Sequence, residues 1–183
     1  MISNESVKNA NPVSRYGRWI SVLLLTFLLG GCGQSEPVVP PAPKTAADWF
    51  TIKVDGQSVR MQLAVMRTEM EYGLMERREL GRDDGMLFVY LRPQLMSFWM
   101  RNTPLPLDIG FFSPEGELRE IYQMHPFDET KVSSRSNQLQ FALEMNQGWF
   151  KANNVRPGAK LDLKAVVAAL KERDFAARQF GLE

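Results

Sequence analysis

A single cysteine, Cys32, and a single histidine, His125, are all that this 183-residue chain offers for thiol and imidazole chemistry. One cysteine excludes a disulfide framework and a cysteine metal cluster. With Cys32 standing ahead of the folded part, a Cys-His catalytic pair is excluded as well. A Ser-His-Asp triad would have to use His125, and no glycine elbow frames the nearby Ser133, Ser134 or Ser136. Phosphate-cradling glycine loops and zinc-ligand spacings are absent. Charge of one sign is lacking too, with 22 Lys+Arg against 21 Asp+Glu. Aromatic residues are not interleaved with basic ones, so neither the balance nor the pattern suits nucleic acid.

Long hydrophobic runs are also missing. The most apolar segment, Trp19 to Leu29, is interrupted by Ser21 and Thr26. As a helix it rises only ~16 Å, about half of the ~30 Å hydrocarbon core. It follows a region carrying Lys8, Arg15 and Arg18 and ends in Leu29-Gly30-Gly31-Cys32. This is the layout of a cleavable signal peptide, and its end resembles the lipobox at which lipoprotein signal peptidase leaves an acylated cysteine. One acyl chain binds membranes marginally, at about 0.8 kcal/mol per buried methylene, so stable anchoring requires several. Gly33 after the cysteine, rather than Asp, matches outer-membrane sorting in a Gram-negative host. Without residues 1–31 the chain keeps 19 basic and 20 acidic residues.

From Gly33 to Lys44 the sequence is small, polar and proline-rich, with Pro37, Pro40, Pro41 and Pro43. Such a stretch stays extended and reads as a tether. Beyond it, Trp49 to Val54 and the alternating Val59, Met61, Leu63 and Val65 flank Asp55-Gly56, a hairpin signal. Thr68 and Glu71 form a capping-box pattern that predicts a short helix to about Arg77. Met86 to Tyr90 and Leu95 to Met100 are expected strands. Asp108 to Phe112 and Leu118 to Met124 flank Ser113-Pro114-Glu115-Gly116 as a second hairpin. His125 to Asn137 reads as a surface loop. Leu139, Phe141, Leu143 and Met145 alternate as a strand, Gly148 to Asn154 as a helical turn, Lys160 to Leu163 as a closing strand, and Lys164 to Phe180 as a final helix.

Between Arg67 and Glu144 a particular set of blocks occurs in order: Arg67 with Gly73-Leu74-Met75 and Arg77; Asp84-Gly85-Met86-Leu87-Phe88; Phe98-Trp99-Met100-Arg101-Asn102-Thr103 with Pro106-Leu107-Asp108; and Ala142-Leu143-Glu144 with Gly148. In these the chain resembles the domain of unknown function 192 family, from the first hairpin to Leu163. The resemblance implies a compact, mainly β domain, an antiparallel β barrel or sandwich with one short helix near residues 69–77, and it brings no established activity. The organisation expected is a leader over 1–31, a lipidated tether over 32–46, one β-rich domain over 47–163, and a C-terminal helical extension over 164–183.

Arg101-Asn102-Thr103 with Asp108 lies between apolar strands, where rigid elements commonly present binding groups. Arg101 is suited to clamp a carboxylate or phosphate, Asn102 to donate and accept, and Trp99 to stack on a sugar or peptide. Against this, Asn102, Thr103 and Asp108 also suit a tight connection satisfied by local backbone. Arg67 and Glu71, four apart, suit a mutual pair, a cap, or a pair facing Asp108. The function expected is a non-enzymatic, membrane-anchored binding or accessory module for an envelope protein, peptide or glycan. Its ligand-binding candidates are Arg67, Glu71, Trp99, Arg101, Asn102, Thr103, Asp108 and Glu144, with no cofactor, metal or nucleic acid. Two alternatives stay open: an envelope hydrolase using Asp108 and Glu144, or Glu71, and a periplasmic copper-binding protein using Met124 and His125. Nine of the ten methionines lie in the folded region, yet several fall on apolar strand faces where methionine fills cores.

Overall fold

The structure is a computed structural model and describes residues 42–182; the leader, Cys32 and most of the tether lie outside the described residues. Strands β1 (Phe50–Val54) and β2 (Gln57–Ala64) pair antiparallel with Val54 opposite Gln57. Asp55 and Gly56 between them both take positive φ, 50° and 83°, the two-residue turn whose twist suits a hairpin. Helix α1 (Arg67–Tyr72) begins and ends earlier than expected. Its start is secured by Glu69, whose carboxylate accepts from the Val65 and Met66 amides. Glu71, the residue expected to cap, is bonded to Arg67 instead. The helix stops at Gly73, where φ 51° and ψ −129° describe a conformation that side chains with a Cβ avoid.

Because α1 occupies the connection, the chain returns in the same direction, and β3 (Asp84–Gln94) runs parallel to β2. A crossover of this length is what a parallel pair demands. The chain continues through β4 (Ser97–Phe98), β5 (Leu107–Phe112), β6 (Leu118–Met124), β7 (Val132–Ser133), β8 (Leu139–Asn146), α2 (Trp149–Ala152) and α3 (Leu163–Glu172). The main sheet has the order β1-β2-β3-β8-β5-β6, and β4 pairs with β7 as a separate ribbon. The protein is mainly β with sandwich-like layering, as expected, but its sheet is open and mixed rather than closed and wholly antiparallel.

Three local expectations are corrected. The apolar run from Leu95 to Met100 supplies only the two-residue β4, whose partner β7 sits within the expected loop, Ser97 facing Ser133. Leu161 and Lys160 make isolated bridges to Val54 and Glu117 rather than a closing strand. The final helix ends at Glu172, and a 3-10 turn over Ala177–Phe180 follows. In each case the apolar pattern is real, but the residues contact a core without joining the main sheet as a strand.

Strands β5 and β8 are buried along nearly their whole length, so the sheet carries a core on each face. Leu87, Val89, Leu143 and Met145 point to one core, which α2, α3 and the 3-10 turn close with Trp149, Phe150, Leu170 and Phe180. Met86, Phe88, Ile109 and Phe111 point to the other, which Leu74, Met96, Phe98 and Met100 cover. Gly110 is required where the helical layer comes close: a Cβ there would lie 2.8 Å from the Phe150 ring and 3.0 Å from Leu118. The C-terminal segment therefore completes a core, since Val166, Ala169, Leu170 and Phe180 are all buried in it.

Candidate binding cavity

On the face covered by α1 and the β4-β7 ribbon, a cavity of about 310 Å³ opens. Five of the residues singled out from sequence line it: Arg67, Glu71, Trp99, Thr103 and Glu144. They arrive by four routes. Arg67 and Glu71 lie one turn apart on α1, at the mouth, joined by a 2.8 Å bond and well exposed. Trp99 follows β4 directly and is 40% exposed. Thr103 closes a tight turn in which its amide donates to the Met100 carbonyl. Glu144 comes from the middle of β8, on the face of Ala142.

Glu144 is the unusual group. Its residue is only 5% exposed, and burial pushes its carboxyl up to about 8, with no hydrogen bond or opposite charge among the described residues to offset it. Unpaired burial of this kind favours the neutral acid. At neutral pH the cavity therefore contains a carboxylic acid, able to donate one hydrogen bond and to accept others. Tyr90, also lining the cavity, is pushed up to about 12 by its own burial and by Glu144. The walls are mainly aromatic and thioether: Phe88 and Phe98 meet edge to face at 5.0 Å, and Tyr72, Met70 and Met75 come from α1 and the turn after it.

The other candidates are dispersed. Arg101 is taken up by local partners, stacking 4.2 Å over the Trp99 ring and donating to Glu129 at 2.8 and 3.0 Å. That pairing holds its guanidinium above the usual range and leaves it on the surface. Asn102 sits in the turn at φ 52°, where its carbonyl accepts from the Glu76 amide. The Thr103 hydroxyl donates to the Arg101 carbonyl. The Arg101–Thr103 block is thus chiefly a connection that orients Trp99.

Asp108 corrects a stronger expectation. In the register of β5 with β8, Ile109 pairs with Glu144 and Asp108 with Met145. Adjacent strand residues point to opposite faces, so Asp108 lies across the sheet from the cavity, and neither α1 nor Glu144 faces it. There its Oδ2 accepts from the Gly148 amide at 2.8 Å. Burial raises its carboxyl above the ordinary range, the Gly148 bond opposing this. The pair of Asp108 and Glu144 does not form a carboxylate dyad. The methionine and histidine pairing also separates: Met124 is 1% exposed inside a core, whereas His125 lies on the surface.

Sequence reasoning missed Tyr72, Tyr90, Phe88 and Phe98 as parts of one lining. Their only signal was an aromatic within three separate predicted elements, and nothing in the spacing says that a crossover helix brings them together.

The model of the family DUF192, described as an uncharacterized ACR, matches residues 50–163. None of the curated proteins matches the chain. Among solved structures, a candidate transcription regulator from Sinorhizobium meliloti 1021 is 32% identical with a TM-score of 0.59, covering 64% of this chain and 95% of its own. A protein of unknown function from Novosphingobium aromaticivorans is likewise 32% identical, with a TM-score of 0.58, covering 68% of this chain and 93% of its own.

Proposed function

We propose, from the premise that this chain belongs to the DUF192 family, that it is a lipid-anchored envelope module that binds a peptide or glycan segment in the cavity beneath α1. The observation that supports this most is the convergence of Arg67, Glu71, Trp99, Thr103 and Glu144 on one recess of about 310 Å³. That size lies at the lower end of small-ligand sites, which characteristically combine apolar walls with a few polar groups. An exposed indole at the mouth and a carboxylic acid at depth suit a ligand with an apolar or ring face and a polar end.

The anchor is part of the same proposal. Lipid on Cys32 and the proline-rich stretch from Gly33 to Lys44 would hold the domain at the periplasmic face of the outer membrane. Mass spectrometry of the processed amino terminus is the test, together with fractionation of Cys32→Ala. An unmodified Cys32, or a variant that still sediments with membranes, defeats the anchor.

The binding proposal is tested by calorimetric titration of the full chain with cell-wall peptides and glycan fragments, comparing Trp99→Ala and Glu144→Gln. At least a tenfold loss is expected in each, and undiminished binding in both defeats the site. A second reading, an envelope hydrolase, draws on the proton that Glu144 retains at neutral pH. Its second carboxylate would be Glu71, because Asp108 lies on the opposite face. Turnover that disappears in Glu144→Gln while binding survives would favour it.

A further inference from the structure

Most of the cavity's polar groups already have partners. Arg67 is tied to Glu71, Tyr72 donates to Glu76, and the Thr103 hydroxyl donates to the Arg101 carbonyl. Glu144 remains, with 5% of its residue exposed and its carboxyl lining the recess, alongside the Tyr90 hydroxyl and the Trp99 indole N–H. Around the same space stand the rings of Phe88, Tyr90, Phe98 and Trp99. Trp99 already accepts a cation, the Arg101 guanidinium lying 4.2 Å from its centre. A carboxyl among aromatic rings, with no hydrogen bond to it among the described residues, is the complement of an organic cation: the rings attract positive charge through their faces, and the carboxylate supplies the counter-ion.

We propose that this cavity binds the ammonium group of its ligand, seated between the Glu144 carboxylate and the surrounding rings. The proposal rests on the binding-module reading and specifies which ligand chemistry the site selects. A primary amine on a peptide and a quaternary headgroup share this chemistry; both present a compact cation on an apolar stem.

Binding then displaces the proton that Glu144 holds at neutral pH. The other titratable groups facing the recess are Arg67, Glu71 and Tyr72 from α1 and Tyr90 from β3; on β5 the residue opposite Glu144 is the apolar Ile109. The two tyrosines stay neutral through this range, Tyr72 and Tyr90 both being raised, and Arg67 is offset by Glu71. Affinity should therefore fall by about tenfold per pH unit below pH 8, as expected for one displaced proton.

The experiment titrates the full chain with n-butylammonium, with choline, and with choline's uncharged tert-butyl isostere, at pH 6, 7 and 8 in buffers of different ionisation enthalpy. Saturable binding of either ammonium, at least tenfold tighter than the isostere and releasing close to one proton at pH 7, is expected. The stronger of the two ammonium ligands distinguishes amine from headgroup. Glu144→Gln, its fold checked by far-ultraviolet circular dichroism, should lose that preference and the proton release together. Equal binding of the isostere, no saturable ammonium binding at pH 8, or an unaltered Glu144→Gln overturns the inference. A neutral glycan or peptide still bound through Trp99 would leave the binding-module reading intact.

Discussion

Each face of the sheet buries a carboxyl group, and burial raises both, but with different partners. On the face closed by helices, Asp108 has one oxygen fixed by the Gly148 amide and the other buried without a partner among the described residues, beside a recess of about 310 Å³ that Phe150 and Val155 also line. On the other, Glu144 projects from the neighbouring strand into a recess with no compensating partner among the described residues. Two paired strands, β5 and β8, hold them. The difference lies in what partners and covers them: Asp108 keeps one backbone donor beneath the helices, whereas Glu144 lies under a short helix and a two-stranded ribbon. Burying an uncompensated carboxyl is costly, which makes Glu144 the group on which the proposed site depends.

Removing packing from the closed face is the harshest test of that contrast. Phe141→Ala empties a wholly buried ring site and is expected to cost about 3–5 kcal/mol, read by denaturant unfolding; Met75→Ala, at the cavity wall, should cost far less. Comparable losses would mean that the recess is as tightly packed as the core.

Arg173 links the faces and comes next. Its guanidinium, from the end of α3, donates to the Leu63 carbonyl and to Glu69, with 3% and 11% of the two charged side chains exposed. Glu69 in turn caps α1, so the C-terminal segment holds the helix that roofs the cavity. Its carboxyl is held below the ordinary range: burial acts to raise it, and the combined bonds from Arg173, Met66 and Val65 outweigh that. Arg173→Met should cost roughly 3–5 kcal/mol, because it strands a largely buried carboxylate. It should also weaken ligand binding. Unchanged stability would show α1 to be held by its own packing.

A smaller effect distinguishes the faces by pH. The native state holds the Glu144 proton up to about pH 8, whereas the unfolded chain releases it near the ordinary value. The contribution of Glu144 is fully present below the unfolded value and is lost as pH rises through that window. Glu144→Gln should therefore lack this decline, and its stability advantage over the native chain should grow between about pH 5 and pH 8 and level off above. Parallel pH profiles for the two proteins would contradict the burial of Glu144 as a neutral acid. The smallest change is expected at the mouth, where the Arg67–Glu71 pair is well exposed: Arg67→Ala should leave thermal stability almost unchanged. A larger loss would mark the pair as part of the roof itself.

Local order was legible along the chain because alternation at period two and a two-residue turn are short-range properties. Both hairpins, β8 and the presence of a helix before Gly73 follow from residues a few positions apart, and the family blocks supplied the fold class. Even Glu144 was visible as a charge within an apolar alternation, and Arg67, Glu71, Trp99 and Thr103 were identified individually. Their meeting was not. It depends on the parallel return of β3 beside β2, a contact between distant segments whose cost and reward are invisible in either one. The facing of Asp108 and Glu144 depends likewise on the register of β5 against β8, where a shift of one residue reverses every side chain. Composition and spacing thus determined which groups were available, and tertiary pairing alone decided which of them share a cavity and which lie across a sheet from it.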